Sequence, residues 1–171
     1  MAITIAPFYN VQYAVGPGQS NSRSDVLLVQ YMLFNICVNR SGPWSGGHDL
    51  LGGSILIPES PNGRGADGIF PYDGRWTPRT SEWISAFQWT CNQRGLGMLT
   101  VDGKINRAKV GWGKPGAPSG GWYTIQAMNR VLMTMNPDSF SRLPTLGDLP
   151  GDLRADLGRF QFSHYDGPER L

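Results

Sequence analysis

Charge is scarce in this chain: charged residues make up 16% of 171 positions, and the formal net charge is only +2. Nucleic-acid recognition needs a clustered basic face. A composition this thin leaves no such footprint, and no nucleic-acid partner is expected. Long hydrophobic runs are also missing. No apolar stretch approaches the roughly 20 residues of a membrane-spanning helix, so no membrane span is expected. Cysteine is limited to Cys37 and Cys91, too few for a disulfide framework. Each falls near the end of a predicted helix on an apolar background, which reads as a buried free thiol. Histidine is limited to His48 and His164. A catalytic zinc centre takes three protein ligands and an open position, and neither histidine lies in an H-E-x-x-H pattern. A cysteine with His48 is the one nucleophile and base combination on offer. Glu59 and Glu82 are unremarkable among 13 acidic residues, and no glycine-rich stretch has the P-loop form. No catalytic residue, metal or cofactor is expected, and the chain reads as non-enzymatic.

The opening residues, Met1 to Pro7, have no basic segment, and their apolar run is too short for a signal peptide. Synthesis in the cytoplasm without a signal peptide is the expectation. Any action outside the cytoplasm would then require release by lysis or an injection machine.

What is present is enough apolar material for a core, 40% of the residues. With it come 23 glycines and 13 prolines, which favour long irregular connections. The length suits a single domain over 1–171. Loose alternation of Ile3, Ile5, Phe8, Tyr9, Val11, Tyr13 and Val15 predicts one or two short strands in an N-terminal extension, 1–22. A turn-rich stretch from Gly16 leads to Ser22 or Ser24, either of which suits the N-cap of a helix over about 25–37. That helix is almost wholly apolar after Asp25, so it should be covered on more than one side. Residues 38–72 are rich in Gly, Pro, Ser and Asn, and Leu50 to Pro58 suits a small hairpin about Gly52-Gly53.

Asp73-Gly74-Arg75-Trp76 reads as a tight turn. Thr77 then suits an N-cap and Pro78 the first helical position, which needs no N–H partner. The helix should run over about 78–93 and end at Arg94-Gly95. A second turn follows at Asp102-Gly103. Ile125, Met128, Leu132 and Met135 are at helical spacing, stopped by Pro137, and Leu146, Leu149, Leu153, Leu157 and Phe160 form a stripe broken at Pro150-Gly151.

The segment Asp25-Val26-Leu27-Leu28-Val29-Gln30-Tyr31-Met32-Leu33, followed by Asp73-Gly74 and a helix ending in Phe87-Gln88, resembles the peptidoglycan-binding domain of cell-wall hydrolases. That family's pattern is D-V-x-x-L-Q-x-x-L, then D-G-x-F-G-P-x-T-x-x-A-V-x-x-F-Q. The resemblance covers roughly 25–37 and 73–108, with Trp76 in the Phe slot, Thr80 in the threonine slot, Trp83 in a small-residue slot, and Asn106 where the family's second turn, V-D-G-x-x-G, has glycine, asparagine being the next best residue for left-handed backbone. It implies a mostly α fold: a three-helix module over 23–110, an inserted loop at 38–72 and a C-terminal helical elaboration over 111–171. Val26, Leu33 and Phe87 would form its core, and the glutamines Gln30 and Gln88 would bond turn backbone, since buried amides need partners. The turn carboxylates Asp73 and Asp102 read as acceptors for their own backbone.

The resemblance implies peptidoglycan as ligand and a non-catalytic, localising role. The S-H-G-x-C motif of the L,D-transpeptidases, frequent companions of this module, is missing. Tyr72, Arg75, Arg79 and Trp112 flank turns and are not demanded by helix periodicity, which makes them the ligand-binding candidates. Guanidinium groups suit the carboxylates of stem peptides. The alternative is a structural or adaptor role in a phage tail, contractile injection or secretion assembly, with 38–72 making protein contacts.

Overall fold

Ser22 starts the first helix as its sequence position allows: its hydroxyl accepts from the Asp25 N–H at 3.4 Å, and α1 runs Arg23–Leu33. Every residue from Asp25 to Leu33 is buried, so the helix is covered on several sides, as its composition predicts. It does not continue as α-helix to residue 37. It loosens into a π-type turn, Phe34–Val38, where the Asn35 amide donates to the Tyr31 carbonyl at 2.8 Å. The computed structural model describes residues 7–38, 44, 70, 72–109 and 115–160, with residues 38 and 157–160 described by backbone only.

Thr77 and Thr80 exchange side-chain-to-backbone bonds at the start of α2, Pro78–Gln93, with proline in the first turn. Such a capping box satisfies two of the donors that a helix start leaves free. Past the C-terminal end, Gly95 takes φ 67°. Then come α3, Thr124–Met135, the short α4, Pro137–Ser141, a 3-10 turn at Leu143–Thr145, and α5, Gly151–Phe160. The architecture is mostly α. α1 packs against α2, α3 and α5, and one core joins Val26, Val29, Leu33, Ile84, Phe87, Ile125, Met128, Leu132, Phe140 and Leu153.

The expected N-terminal strands are not formed among the described residues. Val15 and Ile105 make an isolated antiparallel bridge, with bonds of 2.9 and 2.8 Å. Elsewhere polar side chains do what a ladder would do. Asn129 on α3 accepts from the Tyr9 N–H at 2.8 Å and donates to the Tyr9 carbonyl at 2.7 Å. Asn10 does the same for Ala108 at 3.0 and 2.8 Å. Asp25, only 5% exposed, accepts from the N–H groups of Gln12 and Tyr13 at 2.7 and 2.9 Å. Each bond pairs a backbone group that a ladder would otherwise have paired, so the segment is pinned without being a strand.

Asn106 also departs from expectation. The only described non-glycine residue with positive φ is Asn21, at 51°, whose amide brackets Gly16 at 2.8 and 2.9 Å. The position after Ile105 continues the pinned segment and needs no left-handed residue. The hairpin proposed at 50–58 lies outside the described residues.

Candidate functional site

The two turns marked in the sequence are built by the same device. Gln30 Oε1 accepts from the N–H groups of Asp73 and Gly74 at 3.1 and 2.8 Å, and its Nε2 donates to the Arg75 carbonyl at 3.1 Å. Gln88 Oε1 accepts from Asp102 and Gly103 at 3.0 Å each, and its Nε2 reaches the Lys104 carbonyl at 2.9 Å. Gln88 Nε2 lies a further 3.0 Å from both Asp102 Oδ1 and Thr124 Oγ1. Each turn aspartate accepts from the N–H two residues on, Asp73 from Arg75 at 2.9 Å and Asp102 from Lys104 at 3.0 Å. That is the Asx-turn reading of these carboxylates.

Glycine is required in both turns. Gly74 and Gly103 have φ of 73° and 67°, where L side chains are strained. A Cβ on Gly74 would lie 2.8 Å from Leu27 Cγ, and one on Gly103 would lie 2.9 Å from Ser85 Oγ. Leu27 and Ser85 each stand three residues before their glutamine, so the helix-to-turn approach is repeated position for position. Trp76, half-buried, donates from Nε1 to Ser81 Oγ at 2.9 Å.

Three of the four ligand-binding candidates, Tyr72, Arg75 and Arg79, lie among the described residues. Tyr72 is part of an internal aromatic stack, its ring 5.5 Å from Phe34 and 6.4 Å from Tyr31. Phe70 continues the row, 5.8 Å from Phe34 and edge-on to Trp83 at 4.9 Å. Burial pushes the Tyr72 phenol well above its ordinary range, with Tyr31 and Asp148 adding to the effect. Tyr31 is raised likewise, chiefly by burial, while its hydroxyl accepts from Trp44 Nε1 at 3.2 Å. Tyr72 is therefore half-buried, with one ring face stacked on Phe34. Arg75 is exposed and Arg79 half-buried. Tyr72 Oη, Arg79 Nε and Trp83 Nε1 are buried with no hydrogen-bond partner among the described residues. Trp112 lies outside the described residues.

Neither cysteine is activated as a nucleophile. Cys37 and Cys91 are buried free thiols. Burial pushes Cys91 up to about 12 and Cys37 higher still, so neither supplies thiolate near neutral pH. No group of three His, Cys, Asp or Glu suited to a metal occurs among the described residues. His48 and His164 lie outside them. No described helix is long and apolar enough to cross a membrane.

One surface residue was missed by sequence reasoning. Tyr13 is 51% exposed, although its parity matches that of buried Val11 and Val15. The sequence signal was available in Asp25, a lone acid at the head of an apolar helix, which bends the backbone at Gln12 and Tyr13. No protein-family model, curated protein or solved structure matches this chain.

Proposed function

We propose that the chain is a non-catalytic wall-binding module whose ligand is peptidoglycan. The observation that carries the reading is the repeated Gln–Asp-Gly clasp. It gives physical sense to the spacing on which the resemblance to the peptidoglycan-binding family rests, because each helix places a glutamine where it can hold its own turn. Exposed Arg75, on the first clasp, is a cation suited to the carboxylates of stem peptides. The role would be to localise a partner or an assembly at the bacterial wall.

A second reading, an assembly scaffold using the same module for protein contacts, is favoured by Tyr72. Its ring is spent on internal stacking, which removes one aromatic face from any glycan groove. Sedimentation with purified sacculi separates the readings. The wall-binding protein should pellet with sacculi at low ionic strength and be released by salt, because exposed charge pairs beyond about 10 Å are screened at 0.1 M. Protein that stays wholly in the supernatant at low salt overturns the wall-binding reading and leaves the scaffold.

A further inference from the structure

Two segments distant in sequence are fastened side by side at two places. Val15 and Ile105 exchange both backbone bonds, and Asn10 brackets Ala108. Between these ties lie Gln12 and Tyr13 on one segment and Asn106 and Arg107 on the other, with Lys109 just beyond. All five are exposed. Within each segment the inward positions, Val11, Val15, Ile105 and Ala108, are buried in the core. The outward row is thus fixed to a rigid base and not carried on a free loop.

We propose that this outward row is the contact surface for a carboxylate-bearing glycan, with the ring of Tyr13 as platform and Arg107 and Lys109 as the cations. The proposal rests on the wall-binding reading and names the surface that performs it. Tyr13 is the described aromatic ring with the greatest exposure, and an amphipathic ring set in water can take the apolar C–H face of a sugar while its hydroxyl stays solvated. Its backbone is preorganised: Asp25 holds the N–H groups of both Gln12 and Tyr13, and Ser22 Oγ donates to the same carboxylate at 2.6 Å. Preorganisation of this kind lowers the ordering cost of binding.

Charge selects the ligand. Neither Arg107 nor Lys109 is in an ion pair among the described residues. Asp25, which holds the first segment, and Asp102, in the turn that leads to the second, both accept from backbone N–H groups. A guanidinium and an ammonium on the segment tied alongside that of an exposed ring favour a sugar polymer that bears carboxylates over an uncharged one. Gln12 and Asn106 add side-chain amides that can donate to or accept from hydroxyl and acetamido groups.

The test compares pelleting of the full chain on sacculi free of phosphate polymers with pelleting on chitin, an uncharged amino-sugar polymer. Wild type should pellet with sacculi and stay with the supernatant over chitin. Tyr13→Ala, and separately Arg107→Ala combined with Lys109→Ala, should each weaken sacculus binding by about fivefold or more. Their thermal midpoints should stay unchanged, since the truncated side chains are exposed. Variants that pellet like wild type, while Arg75→Ala loses binding, would overturn this surface but keep the wall-binding reading. Equal pelleting on chitin would overturn the carboxylate preference. Wild type that never pellets would overturn the reading and the surface together.

Discussion

Gln88→Ala should lower the unfolding free energy by about 3–5 kcal/mol, read from the shift of a urea midpoint at constant slope. The side chain is fully buried. Its truncation leaves the N–H groups of Asp102 and Gly103 without an acceptor and the Lys104 carbonyl without its donor. Each buried group left unpaired costs about 1–3 kcal/mol, and water cannot readily replace the amide inside the core. The damage should spread, because the Asp102 turn leads into the Val15–Ile105 bridge and Gln88 itself bonds Thr124 at the head of α3. Arg75→Ala is the control: exposed and outside the core, it should change stability by no more than about 0.5 kcal/mol. A Gln88→Ala midpoint equal to that of the control would mean that the clasp does not hold the turn.

Phe87→Ala should cost about 3–5 kcal/mol, the usual range for a core aromatic cut to alanine. Phe87 is fully buried in the core that also contains Val26, Val29 and Leu33 of α1. It stands one residue before the clasp glutamine, so the cavity would open beside the bonds that fix the second turn. Phe87→Leu refills much of the lost volume and should recover a good part of the loss. Calorimetric unfolding measures both. An unchanged transition in Phe87→Ala would remove the packing of α1 against α2 from the account.

The helices were legible because their ends are written in local chemistry. Ser22 before Arg23, and Thr77-Pro78 with Thr80, satisfy donors that any helix start exposes, and no distant residue is needed to see it. The glutamine clasps were half legible. Matching positions of Gln30 and Gln88 pointed to turn backbone, but their partners lie 43 and 14 residues away, set only by the fold.

The N-terminal segment was misread for a related reason. Alternation of Tyr9, Val11, Tyr13 and Val15 suits a strand, yet buried Phe8 breaks the parity from one side and exposed Tyr13 from the other. The forces that decide it are side-chain bonds from Asn129, Asn10 and Asp25, and hydrophobic period carries no information about those. The same gap bears on which aromatic rings stand open. An aromatic next to a turn looks available, but Tyr72 stacks on Phe34, while Tyr13, which parity assigns to the interior, is turned out by Asp25. The end of α1 shows the limit at the level of one turn. Nothing in Phe34–Val38 distinguishes π-type from α-type bonding until the neighbouring packing is known.

Wall recognition is tested most directly by titrating the isotope-labelled full chain with soluble muropeptides and following its backbone amides by NMR. The account predicts concentration-dependent shifts centred on Tyr13, Asn106 and Arg107, with the amides of the buried clasp at Gly74 and Gly103 little changed. A spectrum that does not move at millimolar muropeptide would contradict it.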